Sequence, residues 1–97
     1  MIPVTVETSN HDLLIQHGYK LIDDAWNEHG RRTYIHNDDA TRDFIASFAK
    51  VIRSAGWETH PNMLRAFRHP VSGEVIELEP GGADTRGHFL HHMKAFD

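Results

Sequence analysis

The sequence predicts an α+β fold: a small, mostly antiparallel sheet with two main helices packed on one face. Three observations predict it. Residues 40–55 place Phe44, Phe48, Val51 and Ala55 at helical spacing, with Ile45 and Ile52 beside them and Arg42, Asp43, Ser47, Lys50 and Arg53 opposite. In Glu74–Glu79, Ile76 and Leu78 face one way and Glu77 and Glu79 the other, as in a sheet wet on one side. Turn-forming clusters at 27–30, 70–73 and 80–82 cut the rest of the chain into short runs.

Each element follows in order. Residues 1–8 predict a strand, Val4 and Val6 alternating with Thr5 and Glu7. Ser9 with Asp12 three residues on forms a capping box for a short helix over 10–17, and Gly18 suits a left-handed stop. Residues 19–26 and 31–36 predict a hairpin across Asn27-Glu28-His29-Gly30. Asn37, Asp38 and Asp39 offer N-caps for the helix over 40–55, which is expected to bury Phe44, Phe48 and Val51. Three strands then follow, at 57–60, 63–69 and 74–79. A last helix is capped by Asp84 or Thr85, with Phe89, Leu90, Met93 and Phe96 as its apolar stripe. The division is one domain over 1–97, in which 1–39 is an N-terminal strand, helix and hairpin extension and 40–97 a helix, three strands and a helix.

An internal echo runs through this layout. His17-Gly18-Tyr19 followed by Tyr34-Ile35-His36 resembles Ala55-Gly56-Trp57 followed by Phe67-Arg68-His69. The spacings differ and helix–Gly–aromatic–strand is a common arrangement, so chance is the expected explanation.

Composition narrows the chemistry. A chain of 97 residues, 39% hydrophobic and 25% charged, can build one modest core. It has no cysteine, which removes disulfides, thiolate catalysis and thiolate metal sites. The N-terminus has no basic region followed by an apolar run, and no stretch is long enough to span a bilayer, so the expected location is cytoplasmic. Net charge is −4, against the basic excess of most nucleic-acid binders, so RNA is a disfavoured partner. Nine histidines bring that charge toward zero near pH 5–6.

The candidate sites are few. His60 and His69 are weak candidates for acid–base work on the predicted sheet. His88 and His92, one turn apart on the last helix, are weak candidates for imidazole ligands of a divalent metal. A third ligand is not evident and there is no His-Glu-x-x-His motif, so no metal or other cofactor is expected. Asp23, Asp24, Glu28, Asp38 and Asp39 at strand ends and turns form a candidate acidic binding face, with Trp26 and Tyr34 as aromatic anchors or as core. Arg31, Arg32, Arg65 and Arg68 are the alternative, a nucleic-acid surface.

The run Val51-Ile52-Arg53-Ser54-Ala55-Gly56-Trp57, then Phe67-Arg68-His69-Pro70, Ser72-Gly73, a strand, Pro80-Gly81-Gly82 and a last helix resembles the HicA-like toxins over about residues 43–96. Those are small mRNA interferases, so the resemblance implies a double-stranded-RNA-binding-domain-like α-β-β-β-α half. In that family the catalytic histidine stands three residues before an aromatic of the central strand. Leu64 occupies that place here, counting back from Phe67. A leucine can neither take a proton from a ribose hydroxyl nor give one to a leaving oxygen.

The expected function is therefore a small, acidic, non-enzymatic binding module that acts by protein–protein contact on a partner with a basic surface. An inhibitor or regulator of nucleic-acid-handling machinery fits this description, anti-defence proteins being the analogy. The alternatives are a HicA-like RNA-binding protein or mRNA interferase, and a histidine-dependent metal or pH-responsive protein.

Overall fold

The computed structural model describes residues 6–81 and 86–94, with side chains from His11 onward. Helix α1 (Val6–Gln16) leads into strand β1 (Lys20–Ala25), the short helical turn α2 (Trp26–His29) and strand β2 (Arg31–His36). Helix α3 (Arg42–Ser54) follows, then strands β3 (Glu58–Thr59), β4 (Ala66–Arg68), β5 (Val75–Pro80) and β6 (His88–Met93). All pairings are antiparallel and form one six-stranded sheet, β1-β2-β6-β5-β4-β3. The architecture is α+β, and the last strand welds the N-terminal hairpin to the C-terminal meander.

Both long helices end in the same way. At α1, Gly18 at φ +99° lets its N–H donate to Ile15 C=O, and the N–H of Tyr19 donates to Leu14 C=O. At α3, Gly56 at φ +97° repeats this, with its N–H on Arg53 C=O and that of Trp57 on Ile52 C=O. This is the Schellman stop, which satisfies carbonyls the helix leaves orphaned. Each glycine is then roofed by the histidine that ends the second strand after it. A Cβ on Gly18 would lie 2.7 Å from His36 Nε2, and one on Gly56 would lie 3.1 Å from His69 Nε2. Tyr34 pairs with Leu90 on the central strands just as Phe67 pairs with Ile76. The sheet order is palindromic under the same exchange, β1-β2-β6 against β3-β4-β5. The sequence echo is thus a structural repeat of helix, glycine, buried aromatic, two strands and histidine.

Register sets the two faces. Tyr34, Leu90, Leu78, Ile76 and Phe67 share one face and form the core with Leu14 of α1 and Phe48, Ala49 and Ile52 of α3. Both long helices therefore cover the same face. The buried stripe of α3 is turned from the predicted one: Phe48, Ala49 and Ile52 are buried, Phe44, Ile45 and Val51 half-buried, and Ala55 exposed. The helix leans on its Ile45–Ile52 side, which is an i, i+3, i+4, i+7 set as regular as the predicted one.

Four expectations need correction. The last element is a strand, not a helix: His88, Leu90 and His92 are buried and Phe89, His91 and Met93 half-buried, an alternation of period two. Histidine scored as polar hides that alternation, because His88 and His92 are hydrogen-bonded inside the fold. The proposed caps Asp84 and Thr85, like Phe96, lie outside the described residues. Residues 6–8 are helical, α1 starting earlier than the capping box implied; 1–5 lie outside the described residues. The N-cap of α3 is Thr41, whose hydroxyl accepts from Phe44 N–H at 3.1 Å, because Asp38 and Asp39 are engaged with β2 and β6. Finally, β4 is shorter than 63–69, since Arg65 takes a left-handed φ of +52° and Leu64 stands in the turn, 75% exposed.

Candidate functional site

Three histidines serve as turn caps. His36 Nδ1 accepts Asp38 N–H at 2.9 Å, His60 Nδ1 accepts Asn62 and Met63 N–H at 3.1 Å each, and His69 Nδ1 accepts Val71 and Ser72 N–H at 3.2 and 3.3 Å. In the last two a proline follows the histidine, and the ring nitrogen takes the amides beyond it, as an Asx side chain would. The dipeptides His60-Pro61 and His69-Pro70 carry this signal in the sequence. The two weak acid–base candidates are therefore turn-formers with one ring nitrogen already engaged.

At the end of β2 and the start of β6, imidazoles line the core. His36 and His88 stack at 5.5 Å between ring centroids and 13° between planes. His88 bonds Asp38 C=O through Nδ1 and the Tyr19 hydroxyl through Nε2, each at 2.7 Å, and His36 Nε2 meets His17 C=O at 3.0 Å. The rings of Phe44 and Tyr19 stand edge-on against the pair. Burial holds the His88 imidazole below its ordinary range, partly offset by the Asp38 carbonyl, and burial likewise lowers His17.

The other end of β6 is built around His92. Its Nε2 lies 2.6 Å from Glu74 Oε1, and its Nδ1 is buried with no partner among the described residues. The hydrogen bond from His92 is the main reason the Glu74 carboxyl sits below the usual carboxylate range. Trp26 packs 4.7 Å from His92, and Arg32 and Lys94 lie over the Trp26 ring at 4.7 and 5.3 Å. As strand residues four apart, His88 and His92 are separated by about 13 Å, so the predicted shared metal pair loses its premise. Among the described residues no group of three metal-ligating side chains converges.

The predicted acidic face divides in two. Asp23, Asp24 and Glu28 are exposed near Trp26, where Asp24 accepts from Trp26 N–H and from Arg32, both at 3.2 Å. Asp38 and Asp39 lie at the far end of β2, about 17 Å away along the strand. Trp26 is half-buried beside the first group. Tyr34 is wholly buried, with its hydroxyl 2.8 Å from His11 Nδ1, so it is core and not an anchor. The arginines do not gather either. Arg32 lies on the helix-covered side, Arg65 in a turn, and Arg31 and Arg68 on the opposite face in one row, Arg31-Met93-Val75-Arg68. Three strand spacings put those two about 14 Å apart, and Arg68 is tied to Glu58 at 2.7 Å.

That opposite face holds what the sequence reading missed. Ile35 pairs directly with Phe89, Met93 lies further along β6, and all three are half-buried and outside the core. No described helix packs over them. Ile35 and Phe89 lie in one row between Lys20 and Glu79, and the polar row Thr33-His91-Glu77 separates them from Met93, which stands between Arg31 and Val75. The signal for this face is the alternation in 31–36 and in 88–93, which a helical reading of 88–93 hides.

A scan against protein-family models and searches of curated proteins and of solved structures find no match to this chain. Among the described residues no helix is long and apolar enough to cross a membrane, which says nothing of a β-barrel.

Proposed function

We propose that this protein is a small acidic binding module that acts without chemistry of its own, by protein–protein contact through the sheet face that no described helix covers. The observation that carries this reading is the directly paired, half-buried Ile35 and Phe89 on the side away from both long helices. That pair, with Lys20 and Glu79 at its two ends and the row Thr33-His91-Glu77 beside it, is a small apolar centre with a polar rim, as interfaces have. Net charge of −4 favours a partner with a basic surface, and the exposed Asp23 and Glu28 would steer it. In this role the chain would inhibit or regulate its partner, nucleic-acid-handling machinery being the class that presents such surfaces.

A second reading, a HicA-like RNA-binding protein or mRNA interferase with a double-stranded-RNA-binding-domain-like half, draws support from the run α3-β3-β4-β5 closed by Gly56–Trp57. The strand β6 in place of its last helix, the scattered arginines and Leu64 at the catalytic place count against it. Capture from a host lysate, with and without nuclease, separates the two. Protein binding predicts a partner retained after nuclease and weakened by salt, and no cleavage of a mixed RNA pool. Capture that vanishes with nuclease, or RNA cleavage lost in His60→Ala, would replace the first reading with the second.

A further inference from the structure

We propose that the stacked imidazoles of His36 and His88 form an acid-released latch on the turn Asn37–Asp39. Both rings are wired for the neutral state. His36 accepts Asp38 N–H on Nδ1, so its single proton is on Nε2, where it donates to His17 C=O. His88 faces the Asp38 carbonyl with Nδ1, so its proton is there, and Nε2 accepts from the Tyr19 hydroxyl. The two rings hold opposite tautomers and grip one residue, Asp38, by its N–H and its C=O.

A second proton has a defined place on each ring and a defined cost. On His36 it goes to Nδ1, where it meets the Asp38 N–H head-on. The nearest new acceptor is the Asp38 carboxylate, 4.0 Å away, and reaching it means turning that residue out of its present bond. On His88 the proton goes to Nε2, so the Tyr19 hydroxyl must reverse and point its hydrogen into the aromatic wall of Phe44 and Phe48. Two cations stacked at this distance repel each other. The titratable groups that face the pair are His17 at the end of α1, Tyr19 before β1, and the carboxylates of Asp38 and Asp39 in the turn; α3 contributes only the uncharged ring of Phe44. The lowered position of His88 agrees with this wiring.

The turn carries more than itself. Asp39 accepts Gly87 N–H at 2.8 Å through its carboxylate and Thr41 N–H at 2.8 Å through its carbonyl, so it links the start of β6 to the N-cap of α3. Releasing Asp38 frees this corner while the helix-covered core stays closed, and it changes how the exposed Asp38 carboxylate is presented.

The test is nitrogen-detected NMR of the histidine rings with amide exchange of Asp38 and Gly87, on the full chain from about pH 8 to about pH 5. The expected result is an Nε2–H tautomer for His36 and an Nδ1–H tautomer for His88 at the upper limit. As these rings take up protons, the Asp38 and Gly87 amides should lose about tenfold or more of their protection while those of Ile76 and Leu78 keep theirs. His36→Asn, which offers an amide oxygen and cannot titrate, should keep Asp38 protected at the lower limit. Other tautomers, ring titration with unchanged Asp38 and Gly87 amides, or loss of all amides together would overturn the latch.

Discussion

Truncating Phe48 tests the packing of the whole fold. Its ring is fully buried, with centroids of His17 at 5.3 Å, Tyr19 at 5.5 Å and Phe67 at 5.7 Å around it. It therefore ties the α1–β1 connection and β4 to α3. Phe48→Ala removes a large apolar volume from a site walled by strands that cannot collapse inward, so the expected cost is about 3–5 kcal/mol. For a domain of this size that is much of a total stability of about 5–15 kcal/mol, and each kcal/mol lowers the melting temperature by about 4–8 °C. Val51→Ala is the control, because the helical stripe alone ranks Val51 with Phe48 while the structure leaves it half-buried. It should cost less than about 1 kcal/mol. Paired denaturant titrations measure both. Equal costs, or a Phe48→Ala cost below about 1 kcal/mol, would refute the rotation of α3 onto its Ile45–Ile52 side.

Three more outcomes follow from particular contacts. Stability should fall on both sides of a plateau, as calorimetry across pH would show. Lowered His17 and His88 contribute fully above pH 6.5 and progressively less below it, and lowered Glu74 contributes fully above 4.5 and is lost as pH drops through its folded value. Tyr19, raised by burial, contributes fully below pH 10.0 and less above. Gly87→Ala should cost clearly more than Gly30→Ala, which is limited to about 1–2 kcal/mol of left-handed strain; at Gly87 a Cβ would collide with the His36 carbonyl oxygen, whereas at Gly30 it meets only the Lys94 stem at 3.5 Å. Glu74→Ala should cost about 2–3 kcal/mol by stranding the buried His92, and Glu74→Gln less, because its amide oxygen still accepts from Nε2; chemical denaturation of the two variants checks the order.

Helices and hairpins whose apolar residues are aliphatic or aromatic could be found in the sequence. The α3 stripe, the strand at 74–79, the hairpin over 19–36 and the stops at Gly18 and Gly56 all rest on patterns that scoring by hydrophobicity detects. The region 88–93 could not, because its inward positions alternate Leu90 with two histidines. A histidine sits in a core when partners distant in sequence bond its ring nitrogens: Tyr19 and Asp38 do so for His88, and Glu74 for His92 Nε2. That single substitution of strand for helix moved the metal candidates apart and hid the face carrying Phe89. Asp38 shows the converse: the sequence points to its carboxylate as a binding group, while the fold mainly uses its backbone N–H and C=O. Tyr34 could have been either core or anchor by spacing, and its pairing with Leu90 across the central strands decided it.

Phe89→Glu tests whether the sheet face that no described helix covers is the contact surface. Phe89 is outside the core, so the variant should keep its fold, with a modest drop in melting temperature from the Glu79 carboxylate directly opposite. Its affinity for the protein partner captured from nuclease-treated lysate should be measured beside that of the double variant Arg65→Ala, Arg68→Ala. A charge at the centre of an apolar contact should weaken binding by about 30-fold or more, about 2 kcal/mol, with the arginine variant changing it only slightly. Binding of Phe89→Glu within about twofold of the parent, with the arginine variant inactive, would contradict the account.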